Sequence, residues 1–229
     1  MGGILIFGAH PDDVEFGMGG SILKFADQGV SVSICVLTRG EAGTFGTRES
    51  REAEMRKAAA MSGATIDILD FVDCRIFDTF EARLELARVI RERRPVLIFA
   101  PYHTNAHGHR DGASHPDHLA TGMLAKAAAR YARFRGIREL EGEPWNARSI
   151  VYYIVPRTMN PNLMVDVSAY MERWEELCRC HTSQLAIRDG KVLEHLRELR
   201  RTWGALAGVD HAEAFHSDDP IPFDVRSFL

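Results

Sequence analysis

"GILIFGAHPDDVEFGMGG", residues 3–20, decides the fold. Its first seven residues are apolar or glycine and suit a buried strand, and the segment after them suits a helix. A strand running straight into a helix is how an open parallel α/β sheet begins. In many such sheets the turn is glycine-rich and holds a phosphate on the helix N-terminus. Here the turn carries Asp12, Asp13 and Glu15 behind His10 and Pro11. Three carboxylates repel a pyrophosphate and attract a divalent cation, and the G-x-G-x-x-G spacing is missing. A nucleotide-binding domain is therefore a poor second reading. Taken alone, the motif also suits a plain helix start, with proline near the first position and acids in the first turn.

Working outward, the pattern alternates. Strands are expected at 3–9, 30–38, 65–71 and 96–100, with helices at 12–29, 48–63, 79–95 and from His115 to about residue 134. Gly29, Gly63 and Pro95 supply the stops. This alternation predicts an α/β fold with a Rossmann-like, mostly parallel sheet and helices on both faces. Beyond about residue 135 the pattern changes to two strands, 149–155 and 162–168, and two helices, 169–180 and 191–206. The stretch 217–229 reads as extended. No linker or repeat interrupts the chain, so a single domain, 1–229, with a small C-terminal extension is expected.

The net charge of −4 gives no general basic bias toward nucleic acid or acidic membranes. The arginine runs at 91–94 and 197–201 read as solvated helix faces. Of the four cysteines, none forms a C-x-x-C pair, and Cys35 sits in an apolar run as a small hydrophobe. With no signal peptide or long apolar span, a cytoplasmic protein is expected, with no membrane partner.

A second motif changes the odds. "HPDH", residues 115–118, follows the strand at 96–100 and its polar loop, as "HPDD" follows the first strand. Ligands of open sheets sit beyond the carboxyl ends of strands. His10 and Asp13, three apart at the mouth of a helix, can turn toward one point, and His118 can add a third ligand. Two histidines and one carboxylate with an open position suit hydrolytic zinc. Asp12 is then left beside the metal as a general base, and His115 can stabilise an oxyanion or protonate a leaving amine. The loop residues His103, His107 and His109 read as solvent-exposed, and His181, His195, His211 and His216 belong to no such motif.

"AHPDD", "TRGEAGT" at 38–44 and "HPDH" resemble the LmbE-like (PIG-L) zinc-dependent deacetylases. "GTRESREAEMRKAA", "VYYIV", "HTSQL" and "AEAF" extend the resemblance over most of the chain. Family members remove N-acetyl groups, mostly from 2-acetamido sugars, in bacillithiol, mycothiol and glycolipid-anchor synthesis and in chitobiose breakdown. The opening stretch is most similar to the bacillithiol-type N-acetylglucosaminyl malate deacetylases. The resemblance implies an LmbE-like fold and His10, Asp13 and His118 as ligands to zinc, with iron(II) as the alternative. It also implies Asp12 as base, His115 as acid or oxyanion partner, and Arg51 and Asp73 as sugar-hydroxyl contacts. An acetamido-sugar substrate and a homo-oligomer follow from it. A metal-dependent hydratase of the same fold is the competing reading. The loop "HTNAHGHRDGAS", 103–114, is longer than the family's usual segment and lies beside the proposed metal.

Overall fold

The structure is a computed structural model, and it describes residues 2–105, 115–156 and 159–220. His107, His109 and the stretch 221–229 lie outside the described residues. Five strands form one parallel sheet: β1 (Ile4–Gly8), β2 (Val32–Val36), β3 (Thr65–Ile68), β4 (Leu97–Pro101) and β5 (Ser149–Tyr153). Their spatial order is β3-β2-β1-β4-β5, and every neighbouring pair is parallel. β1 is central and buried along its whole length, as its unbroken apolar run requires.

Alternate side chains feed two cores. Leu5, Phe7, Cys35, Leu37 and Ile98 pack with residues of α3 (Phe80–Arg93) and α4 (Pro116–Tyr131) on one face. Ile6, Ile34, Val36 and Phe99 pack with α1 (Asp13–Asp27), Met55 of α2 (Arg48–Ser62) and Phe215 on the other. The expected α/β architecture, helices on both faces of a parallel sheet, is the one found. The helix ends follow local chemistry. Thr47 and Ser50 close a capping box on α2, and Gly63 ends it at φ 72°. The stop expected at Pro95 comes one residue earlier, where Arg94 turns at φ 48°.

The strand order reverses between β1 and β4. Ligand crevices of open sheets form at that switch point, beyond the carboxyl ends of the strands. His10–Asp13 leave the end of β1, and His115–His118 open α4 after β4. The order of strands thus brings together two motifs far apart in sequence.

The C-terminal region holds β6 (Leu163–Asp166), α5 (Met171–Cys178), α6 (Val192–Ala207) and β7 (Ala212–Phe215). β6 and β7 pair antiparallel, and a Tyr152–His216 bridge ties them to β5. The sequence pattern marks β6 but not β7, whose four residues carry no β-branched side chain.

Arg93, Arg94, Arg197 and Arg201 lie on solvated faces as expected, but each run has one member that does not. Arg91 is buried and donates to five carbonyls, including Ala132 and Leu140 past the end of α4. Arg200 is buried too, with its guanidinium 3.9 Å from the Trp174 ring and paired to Glu213 at 2.6 Å. Glu213 has a further duty. α1 breaks its helical geometry at Met18 (φ −148°), and the Gly20 and Ser21 N–H groups donate to the two Glu213 oxygens at 3.0 and 2.7 Å. Gly17, beside the kink, lets Tyr153 approach so closely that an added Cβ would sit 2.5 Å from its ring.

Glu213→Ala leaves a buried guanidinium and two buried N–H groups without this partner. The expected loss is about 3–5 kcal/mol of stability, read from urea unfolding. A loss near zero would show that Arg200 and the two N–H groups find other partners once Glu213 is gone.

Candidate metal centre

Asp12 and Asp13 are adjacent carboxylates sent in different directions. Asp12 takes φ 102°, a strained region for a residue with a side chain. Asp13 then folds back over the turn, and its Oδ2 accepts from the Ala9 and His10 N–H groups at 3.0 and 2.8 Å. Its Oδ1 faces His118 Nε2 at 2.9 Å, and its Oδ2 lies 3.4 Å from His10 Nδ1. Asp12 instead turns its Oδ1 to the Arg51 guanidinium at 3.1 Å. The three expected ligands therefore converge around Asp13, with Asp12 beside them. All four residues are buried.

His115 and Asp117 complete the second half. His115 caps α4, and its Nδ1 accepts from the Asp117 N–H at 3.2 Å. A neutral His115 ring with that acceptor carries its proton on Nε2. Burial and the neighbouring His118 and His10 push its pKa down, which favours that neutral form. Its ring centroid is 4.8 Å from that of His10. Ligand atoms of His10, His115 and His118 lie within 4.8 Å of one another, and so do those of His10, Asp73 and Asp117.

Asp73, expected at a sugar hydroxyl, lies behind His10. Its Oδ1 is 3.1 Å from His10 Nε2, and its Oδ2 accepts from the Ala42 N–H at 2.9 Å. Asp117 Oδ2 is 3.3 Å from the same nitrogen and also accepts from the Cys74 N–H. Asp117 has no expected role, and its only signal in the sequence is an acid beside a candidate ligand histidine. Arg51, the other expected sugar contact, is buried and donates to the Pro11 and Gly40 carbonyls as well as to Asp12. Gly40, at φ 66°, admits it: an added Cβ would sit 1.9 Å from Arg51 Nη1. Glu54, one turn on from Arg51, binds Thr182 and Ser183 instead. His103 pairs with Asp218 at 2.8 Å, and His181 is buried against Glu15 at 3.2 Å.

The electrostatics describe a cluster short of positive charge. Burial works against a charge on His10, but Asp13, with hydrogen bonds to Asp117 and Asp73, pushes its pKa up to about 12. Burial also disfavours both acids of the turn. His118 and His10 nevertheless hold Asp13 well below the usual carboxylate range. Burial and the charge of Asp13 push Asp12 up to about 6, against the pull of Arg51. Four carboxylates around three imidazoles and one guanidinium leave room for a cation. The donor set, nitrogen and carboxylate oxygen, fits zinc or iron(II). His10 holds Nδ1 toward Asp13 and Nε2 toward two acids, the carboxylate–histidine arrangement that orients metal ligands.

Comparison with known proteins agrees with this geometry. The family model described as PIG-L, GlcNAc-PI de-N-acetylase, matches residues 5–129. A diacetylchitobiose deacetylase from Thermococcus kodakarensis is 31% identical over 92% of this chain and 80% of its own length. A probable N-acetyl-alpha-D-glucosaminyl L-malate deacetylase 2 from Bacillus anthracis is 30% identical over 85% of each. Among solved structures, a conserved protein from Thermus thermophilus superposes with a TM-score of 0.88 at 36% identity, covering 98% of each chain. Paired motifs at the switch point, a matched fold and relatives spanning nearly the whole chain agree, and the chain belongs to the PIG-L family of de-N-acetylases.

Proposed function

We propose that this protein is a metal-dependent hydrolase that removes the N-acetyl group from a 2-acetamido sugar, leaving a free amine and acetate. The observation that carries the reading is the convergence of half-buried His115 with buried Asp12 and a buried two-histidine, one-carboxylate donor set in one crevice. His10, Asp13 and His118 would hold the metal, for which we propose zinc, with iron(II) as the alternative. Bound there, it would polarise the amide carbonyl and make water more acidic.

The chain's own residues supply the rest. Asp12 accepts a proton from the attacking water and returns it to the departing nitrogen. Arg51 holds Asp12 Oδ1, which leaves Oδ2 for that proton. His115 donates from Nε2 to the oxyanion that develops on the carbonyl oxygen. Arg51 and Asp73 support the acid and the ligand in this reading, because their polar atoms are directed at Asp12 and His10. The finer substrate we propose is an N-acetylglucosaminyl malate-like glycoside, with diacetylchitobiose as the competitor that the Thermococcus relative suggests. No helix among the described residues is long and apolar enough to cross a membrane.

The test is acetate and amine release from both sugars by the purified protein. Chelation is expected to abolish release and added zinc to restore it. Release that persists in the chelated protein would rule out the metal reading. Hydration of an unsaturated acid without acetate release would favour the hydratase.

A further inference from the structure

Two of the three proposed metal donors, Asp13 and His118, open into a cavity that sugar chemistry does not explain. It encloses about 300 Å³, and Asp12, Asp13 and His118 line one end of it. Phe16, Ile154, Leu196, Leu199, Trp203 and Ala214 supply apolar wall from four different parts of the chain. Arg188, His195, Arg200 and Glu213 also reach the lining, and the last two are paired with each other. A sugar ring in this space would face hydroxyls against a largely apolar wall, and each hydroxyl left unpaired is costly. An acetyl methyl would leave most of the volume unfilled.

We propose that this chamber receives the acyl side of the scissile amide and takes straight-chain N-acyl groups longer than acetyl. The inference rests on the amide-hydrolase reading above. Asp12 and the donors must meet the carbonyl carbon. The substituent carried by that carbon is therefore among the parts of the substrate nearest the chamber. His115 and Asp73 do not line the chamber. Bond-making is balanced by water alone. The water oxygen joins the acyl carbon, the C–N bond breaks, and the water proton passes through Asp12 to nitrogen. The products are a fatty carboxylate and the amino sugar.

The experiment uses the full metal-loaded chain and reads free amine from N-acetyl-, N-butanoyl-, N-hexanoyl- and N-octanoylglucosamine. Octyl N-acetylglucosaminide serves as the arm with the alkyl chain on the aglycone. The expected kcat/KM rises by about fourfold per methylene along the acyl series until the chamber is full, the ratio for burying one CH₂. The octyl glycoside should gain nothing over its methyl counterpart. Ala214→Phe and Leu196→Trp narrow the chamber from two walls, and either is expected to bring the hexanoyl-to-acetyl ratio toward one. A flat or falling acyl series overturns the inference and leaves the deacetylase reading standing. A gain on the octyl glycoside alone overturns the placement of the acyl chain. Amine from none of these amides, nor from the two sugars above, overturns both readings.

Discussion

Asp12→Asn is expected to lower turnover by about 10²–10⁴-fold while metal content stays unchanged. Asparagine has the same shape and can still accept the Arg51 hydrogen bond through its oxygen. It also tolerates the left-handed backbone region better than most residues, which suits the φ of 102°. What it cannot do is take a proton. The loss should appear in kcat with little change in KM, because the interaction removed belongs to the transition state. Asp13, His10 and His118 keep their mutual geometry, so metal measured by elemental analysis should match the wild type. Near wild-type turnover would remove Asp12 from the mechanism. Lost metal would move it into the ligand set.

His118→Ala is expected to do the opposite. It deletes a donor that faces Asp13 Oδ1 at 2.9 Å and comes from the far half of the site. Changing a residue that merely supports a ligand costs about 10–100-fold in metal affinity, and removing the ligand itself should exceed that range. Activity then fails for want of metal, and excess zinc restores part of it. The mutation also takes a close partner from the buried Asp13 carboxylate, which His118 helps hold below its usual range. Metal titration with activity read in parallel separates the two variants. A metal-replete, active His118→Ala protein would exclude His118 as a ligand.

Much of the site was legible because it lies in two short motifs at predictable strand ends. "GILIFGAHPDD" and "HPDH" place His10, Asp12, Asp13, His115 and His118 with local signals alone. The parallel sheet was legible for the same reason, since runs such as 96–100 and the glycine stops after helices are local features. Contacts made across the fold were not. Asp117 meets His10 from 107 residues away, and nothing in the intervening pattern records it. Arg51 and Arg200 look like ordinary helix-surface arginines until the carboxylates they reach are in place. β7 escaped because "AEAF" combines low strand propensity with an acid, and that acid is buried for a long-range reason.

The kink at Met18 ties the order of folding to the length of the chain. The helix that leaves the His10–Asp13 turn is completed by a carboxylate 193 residues further along. At about 5–20 residues per second, a ribosome adds that stretch in roughly 10–40 s. During that time Gly20 and Ser21 must borrow water for a partner, and the helix bearing Asp13 lacks its final brace. The first motif to be synthesised thus opens a helix that waits for one of the last strands to supply this partner.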